Sequence, residues 1–148
     1  MFVLITGGFD PLHSGHLNAF NKCAAIGKLI VAPNSDNWLI KKKGAFLLPL
    51  EERVNLIQNL VCTYDVIQDW DDSDGSACDA IKIFHSKYGS STNVLAMANG
   101  GDRDPTNYNS AEFELCQSLG ILTIFGAGGG KTASSSTFIQ QFYANKNK

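Results

Sequence analysis

Short apolar runs and amphipathic segments alternate about five times along this chain, and that alternation restricts its fold more than any other feature. "FVLIT" (Phe2–Thr6) is a β-branched run halted by Gly7 and Gly8, the mark of a buried strand. "GHLNAFNKCAAIG" then carries Leu17, Phe20 and Cys23 or Ala24 at helical spacing and stops at Gly27. Further strands are expected at Lys28–Pro33, "YDVIQDW", Asn93–Ala98 and Ile121–Phe125. Further helices are expected at Pro49–Leu60, "SACDAIKIFHSKYG", "SAEFELCQSLG" and "SSTFIQQFYANK". Pro49 and two acids suit a helix start, and Val54, Ile57, Leu60 and Val61 mark one face. "KKKGAFLLP" (Lys41–Pro49) and "GSSTN" (Gly89–Asn93) read as loops.

This order predicts an α/β fold, a single Rossmann-like domain over residues 1–148. Its core would be a five-stranded parallel doubly wound sheet with helices on both faces. Ligands of such sheets sit outside the carboxyl ends of the strands, where strand order reverses, so functional residues belong in the loops that follow strands.

The net charge of −2 speaks against a dedicated nucleic-acid binder. Cys23, Cys62, Cys78 and Cys116 form no CxxC and have no histidine at metal-ligand spacing. They read as small buried hydrophobes in a reducing compartment. The chain enters its first strand without a basic leader, and no stretch is long enough to span a membrane, so the expected location is the cytoplasm.

The loop after the first strand is Gly7-Gly8-Phe9-Asp10-Pro11-Leu12-His13-Ser14-Gly15-His16. Two histidines three apart at a helix start can turn both imidazoles toward one ligand. The exposed N–H groups and positive end of that helix favour phosphate there. Imidazole donors can stabilise phosphate oxygens that gain charge during transfer. Gly15 admits close backbone approach, and Asp10 is a candidate to orient a metal or a histidine. The alternative is a pair of capping or surface histidines.

"FGAGGGKTASSST" (Phe125–Thr137) offers a rival phosphate site that resembles a P-loop. A Walker A loop needs four residues between its first glycine and Gly-Lys, whereas only three separate Gly126 from Gly130. No later strand remains to supply a metal-binding acid. The stretch reads better as a phosphate-contacting loop running into a polar helix start, whose hydroxyls also suit capping.

"GGFDPLHSGHL" closely resembles the HxGH signature of the cytidylyltransferase-like nucleotidyltransferases. The likeness continues through "VAPNSD", the lysine cluster, "PLEER", "NGGDR" and "SSSTFI". Among relatives the order is most similar to the heptose-phosphate nucleotidyltransferase domain, then to glycerol-3-phosphate cytidylyltransferase. The resemblance implies transfer of a nucleoside monophosphate from CTP or ATP to a sugar phosphate such as heptose 1-phosphate, or to glycerol 3-phosphate, with release of pyrophosphate. Mg²⁺ would be bound mainly through the phosphates. Relatives are often dimers, so a homodimer is one expectation; neither nucleic acid nor membrane is expected as a partner.

Carried onto this sequence, the resemblance makes His13, His16 and Lys43 catalytic. Gly8, Phe9, Asp10, Gly15, Asp102, Arg103, Lys131, Thr132, Ser135, Ser136 and Thr137 would bind nucleotide or phosphate. Asp36, Lys41 and Arg53 would meet the acceptor. No residue is assigned as a direct metal ligand. Lys131 stands where the family's cytidylyltransferase branch has an arginine-rich stretch, as a point charge without the bidentate fork. The other readings are a catalytically inactive nucleotide-sensing relative and a P-loop NTPase.

Overall fold

The computed structural model describes residues 1–99, 108–127 and 135–148. Five parallel strands form one sheet: β1 (Phe2–Gly7), β2 (Lys28–Pro33), β3 (Thr63–Val66), β4 (Leu95–Ala98) and β5 (Leu122–Ile124), in the order β3-β2-β1-β4-β5. The chain steps outward from β1 through β2 to β3, then returns to the other side of β1 for β4 and β5. Strand order therefore reverses between β1 and β4, and the parallel doubly wound sheet is as expected.

Among the described residues there are six helices: α1 (Ser14–Ile26), α2 (Asp36–Lys43), α3 (Leu50–Gln58), α4 (Cys78–Tyr88), α5 (Ser110–Ser118) and α6 (Ser135–Lys146), of which α1 and α3 pack on one face of the sheet and α4 and α5 on the other. Alternate residues of each central strand enter different cores, as the two-residue period of a strand requires. Val3, Ile5, Leu29 and Val31 pack with Phe20, Cys23 and Ile57 beneath α1 and α3. Leu4, Ile30, Leu95 and Met97 pack with Ala80, Ile81, Phe84 and Cys116 beneath α4 and α5. Cys23 and Cys116 are buried, and burial pushes both thiols up to about 11, with Cys62 and Glu112 respectively adding to the shift.

The loop expected over Lys41–Pro49 is not a loop throughout. Lys41, Lys42 and Lys43 form the last turn of α2. Ser35 caps its start by accepting from the Trp38 amide at 3.1 Å, Asp36 sits in its first turn, and Gly44 closes it at φ 86° in the left-handed region. The third strand is also shorter than expected. It ends at Val66, and Trp70 lies beyond it, buried, with its indole N–H donating to the Pro33 carbonyl at 3.0 Å. Among the described residues, no helix is long and apolar enough to cross a membrane.

Candidate active site

His13 is the N-cap of α1 and His16 its third helical residue. The His13 Nδ1 accepts from the Gly15 amide at 3.1 Å, and the His16 Nδ1 accepts from the His13 amide at 3.2 Å. The pair forms a reciprocal capping box in which imidazoles replace the usual hydroxyl and carboxylate. The capping role that the sequence offered as the alternative is thus filled by both rings. A neutral ring whose Nδ1 accepts carries its proton on Nε2, so the backbone fixes both tautomers as Nε2–H donors.

The rings stack with centroids 3.8 Å apart. Phe9 supports them from below: its ring meets His16 edge-on at 5.2 Å and Phe20 at 5.1 Å, and the side chain is buried. Phe9 is therefore a platform for His16. Its φ of 53° is unusual for a residue with a side chain and carries a backbone cost of about 1–3 kcal/mol. Gly7 permits the arrangement, since a Cβ there would stand 2.9 Å from the Phe9 ring. A Cβ at Gly8 would stand 2.8 Å from the Leu39 side chain, so α2 packs directly on the first loop.

Asp10 is buried and accepts from the Leu47 and Leu48 amides, each at 2.6 Å. Its carboxylate meets neither histidine nor a cation in these contacts; it fastens the chain between α2 and α3 to the first loop. Arg53 does the same from below. Its side chain is 0% exposed and donates to the carbonyls of Leu48, Gly8 and Asn34 at 2.9, 2.9 and 2.6 Å. It also pairs with Asp36 at 2.7 Å. A guanidinium so enclosed holds three loops in register. Asp36 is likewise engaged, accepting from the Leu50 amide at 2.9 Å. Asp72 extends the network to the loop after β3, accepting from the Ser35 amide and hydroxyl and from the Asn34 side chain.

A cleft of about 240 Å³ opens at the carboxyl ends of β1, β2 and β4, with Gly7, Gly8 and Asn99 in its floor. Lys42 lines it, with its ammonium 4.5 Å from the Trp38 ring centroid. A neighbouring depression of about 330 Å³ is lined by Lys41 and Lys42. Lys43, the lysine favoured from sequence, lines neither. Helical geometry is the reason: consecutive residues point about 100° apart, so only some of three adjacent lysines can face one cleft.

α6 brings Phe138 to within 5.6 Å of the His13 ring, centroid to centroid, so its first turn, with Thr137, lies near the head of α1. Ser135 and Ser136 open that helix. Asp102, Arg103, Lys131 and Thr132 lie outside the described residues. Among the described residues no group of three or more His, Cys, Asp or Glu stands together as a metal cage. Within the lysine cluster the sequence favoured Lys43, then Lys41, whereas Lys42 is the one that lines the cleft. Asn109 and Glu112, which also line it, were not singled out, because only the topology brings α5 there.

The family described as cytidylyltransferase-like matches residues 4–100, well over half of the chain. The chain belongs to the cytidylyltransferase-like family. A stretch of 68 residues is 37% identical to ethanolamine-phosphate cytidylyltransferase of Arabidopsis thaliana, covering 45% of this chain and 16% of that protein. A stretch of 63 residues is 41% identical to phosphopantetheine adenylyltransferase of Clostridium perfringens, covering 42% of this chain and 35% of that one. The matches thus span about a third or less of these relatives' own length. The lipopolysaccharide core biosynthesis protein from Thermoplasma volcanium GSS1 shares the fold, with a TM-score of 0.63 at 21% identity over 84% of this chain and 93% of that one. The matched region of this cytidylyltransferase-like chain includes the histidine pair, Lys42 and Arg53, and stops short of α5 and α6.

Proposed function

We propose that this chain transfers a nucleoside monophosphate from CTP or ATP to a small phosphorylated acceptor, releasing pyrophosphate. The observation that carries the reading is the His13–His16 pair, held as two Nε2–H donors at the head of α1 beside the strand-order reversal. In the step, an oxygen of the acceptor phosphate attacks the α-phosphorus. The bond from that phosphorus to the α–β bridging oxygen breaks, and its electron pair leaves with pyrophosphate. Positioning and charge stabilisation supply most of the catalysis. The two imidazoles donate to phosphate oxygens that gain charge, and the positive end of α1 adds to their field.

Lys42 takes the role that the resemblance gave to Lys43, neutralising the acceptor phosphate from the cleft wall. Arg53, Asp36 and Asp10 position the loops. Gly8 and Gly15 give the nucleotide its close approach; Asp102, Arg103, Lys131, Thr132, Ser135, Ser136 and Thr137 are proposed to meet the nucleotide and its outgoing phosphates. Mg²⁺ would neutralise charge while ligated chiefly by phosphate oxygens. The two relatives act, by their names, on ethanolamine phosphate and phosphopantetheine, both phosphorylated small molecules, and this supports the acceptor class. Heptose 1-phosphate and glycerol 3-phosphate are the proposed candidates. A cytoplasmic location and a homodimer belong to the same proposal and rest on the family likeness.

A matrix of nucleoside triphosphates against phosphorylated acceptors, read by pyrophosphate, tests the reading. Acceptor-dependent pyrophosphate supports it; nucleotide binding without turnover across the matrix supports the sensing relative instead.

A further inference from the structure

Ring contacts run in one row from the core to the surface. Phe20 meets Phe9 at 5.1 Å, Phe9 meets His16 at 5.2 Å, His16 stacks on His13 at 3.8 Å, and His13 meets Phe138 at 5.6 Å, all centroid to centroid. Phe20 and Phe9 are buried, so the core fixes the inner end of the row. Its outer end is Phe138, the fourth residue of α6, which is 42% exposed. The residues that follow it are exposed apart from half-buried Ile139. Farther along the helix, Phe142 and Tyr143 pair with each other at 5.7 Å. Phe138 is thus the aromatic side chain by which α6 meets the histidine pair.

The contact matters because a hydrogen bond to Nδ1 fixes less than a ring's full orientation. The Gly15 amide holds one atom of the His13 imidazole at 3.1 Å. Held at one atom, a ring can still tilt about that bond, and its Nε2–H tilts with it. Packing against a ring is what removes this freedom. Phe9 does so for His16, and Phe138 stands in the same relation to His13. Their separation of 5.6 Å lies within the roughly 4.5–7 Å of favourable aromatic pairs. The plain alternative is that Phe138 only anchors α6 on α1. Anchoring needs apolar bulk, whereas orienting an imidazole needs a planar partner, and substitution separates the two.

We infer that Phe138 is a positioning residue whose ring fixes the plane of His13 and so aims its Nε2–H donor, a role that rests on the transfer reaction proposed above. Phe138 lies beyond residues 4–100, the part of the chain matched by the family.

Phe138→Leu keeps apolar bulk and loses the ring, and Phe138→Tyr restores the ring. Small misplacements at a reacting centre are costly, so Phe138→Leu should lower kcat about tenfold or more, with KM for the nucleotide triphosphate within about twofold of wild type. Phe138→Tyr should recover kcat to within about twofold. In a His13→Asn background the cap remains and the imidazole is gone, so Phe138→Leu should change kcat by less than about twofold. A raised KM with kcat retained would overturn the inference in favour of anchoring, as would an equal loss of kcat in both backgrounds.

A second readout needs no turnover. The chain has three histidines, which leaves three ring systems to assign in long-range ¹H–¹⁵N spectra of the histidine-labelled full chain. A tilted ring misaligns the bond from the Gly15 amide and admits the Nδ1–H tautomer. With the imidazoles neutral, His13 should be a single Nε2–H tautomer in wild type and Phe138→Tyr, and a mixture in Phe138→Leu. A single tautomer in all three proteins would count against the inference. If wild type releases no pyrophosphate from any nucleotide and acceptor, the transfer reaction falls while these spectra still decide the role of Phe138. Pyrophosphate formation with kcat and tautomer both indifferent to Phe138→Leu would do the reverse.

Discussion

The imidazoles of His13 and His16 lie 3.8 Å apart, centroid to centroid, with 25° between their planes. Each ring's Nδ1 is held by a backbone amide of the α1 head, so the two Nε2–H donors are set before any ligand arrives. Such donors need no reorganisation as charge develops, which is where their value lies.

Removing either donor should therefore slow the chemical step. His16→Ala is expected to lower kcat about 10²–10³-fold. His13→Asn separates the residue's two roles, because asparagine is a good N-cap but lacks the ring donor. Its melting temperature should stay close to wild type while kcat still falls. Steady-state kinetics with parallel melting curves check both variants.

The lysine assignment is tested by neighbours on one helical turn. Lys42→Ala should raise KM for the acceptor about tenfold with little change in KM for the nucleotide, since one charged contact is lost. Lys43→Ala should leave both near wild type. The reverse pattern would return the role to Lys43.

How far the sequence reveals this molecule can be judged at α2 and Arg53. The strand–helix alternation and the histidine motif are local signals, written in contiguous residues, and both were readable. α2 was hidden because it buries only Leu39 as a full core residue, so its apolar period is weak. Its caps were nevertheless present: Ser35 and Asp36 at the start, lysines in the last turn, Gly44 at the end. Arg53 was expected at the acceptor because the family resemblance carried by "PLEER" implied it. Its partners Gly8 and Asn34 come from distant segments, and only the folded topology reveals that it is enclosed. Glu112 stayed out of view for the same reason, whereas the lysine cluster was in view and only the choice within it was not.

Arg53 should matter to stability more than to binding. Truncation takes the guanidinium donor from three carbonyls and from Asp36, which keeps only the Leu50 amide, a loss of about 3–5 kcal/mol. Arg53→Ala should melt roughly 10 °C below wild type. Arg53→Lys should recover only part of the difference, because an ammonium cannot reproduce the planar fork. Calorimetry or circular dichroism measures both.

A pH window follows from Asp65 and Tyr88. Burial alone would raise the Asp65 carboxyl, but hydrogen bonds from Lys87, Tyr88 and its neighbouring amide hold it below its ordinary 3.8. Burial, then the hydrogen bond to Asp65, pushes the Tyr88 phenol above its ordinary 10.0. A lowered carboxyl stabilises the fold fully above 3.8, and the benefit is lost as pH falls through the folded value. A raised phenol stabilises it fully below 10.0, and the benefit is lost as pH rises through the folded value. The difference in stability between wild type and Asp65→Asn should be greatest between these limits and shrink at both ends. Urea melts across the pH range check this.

The central claim is cleavage between the α- and β-phosphates, directed by the histidine pair. The direct measurement is ³¹P NMR of the products formed from CTP or ATP with glycerol 3-phosphate or a sugar phosphate, by wild type and by a variant with both His13 and His16 replaced. The expected result is pyrophosphate and a nucleotide-linked acceptor in equal amounts from wild type, and neither from the variant. Orthophosphate with a nucleoside diphosphate, or undiminished pyrophosphate from the double variant, would contradict it.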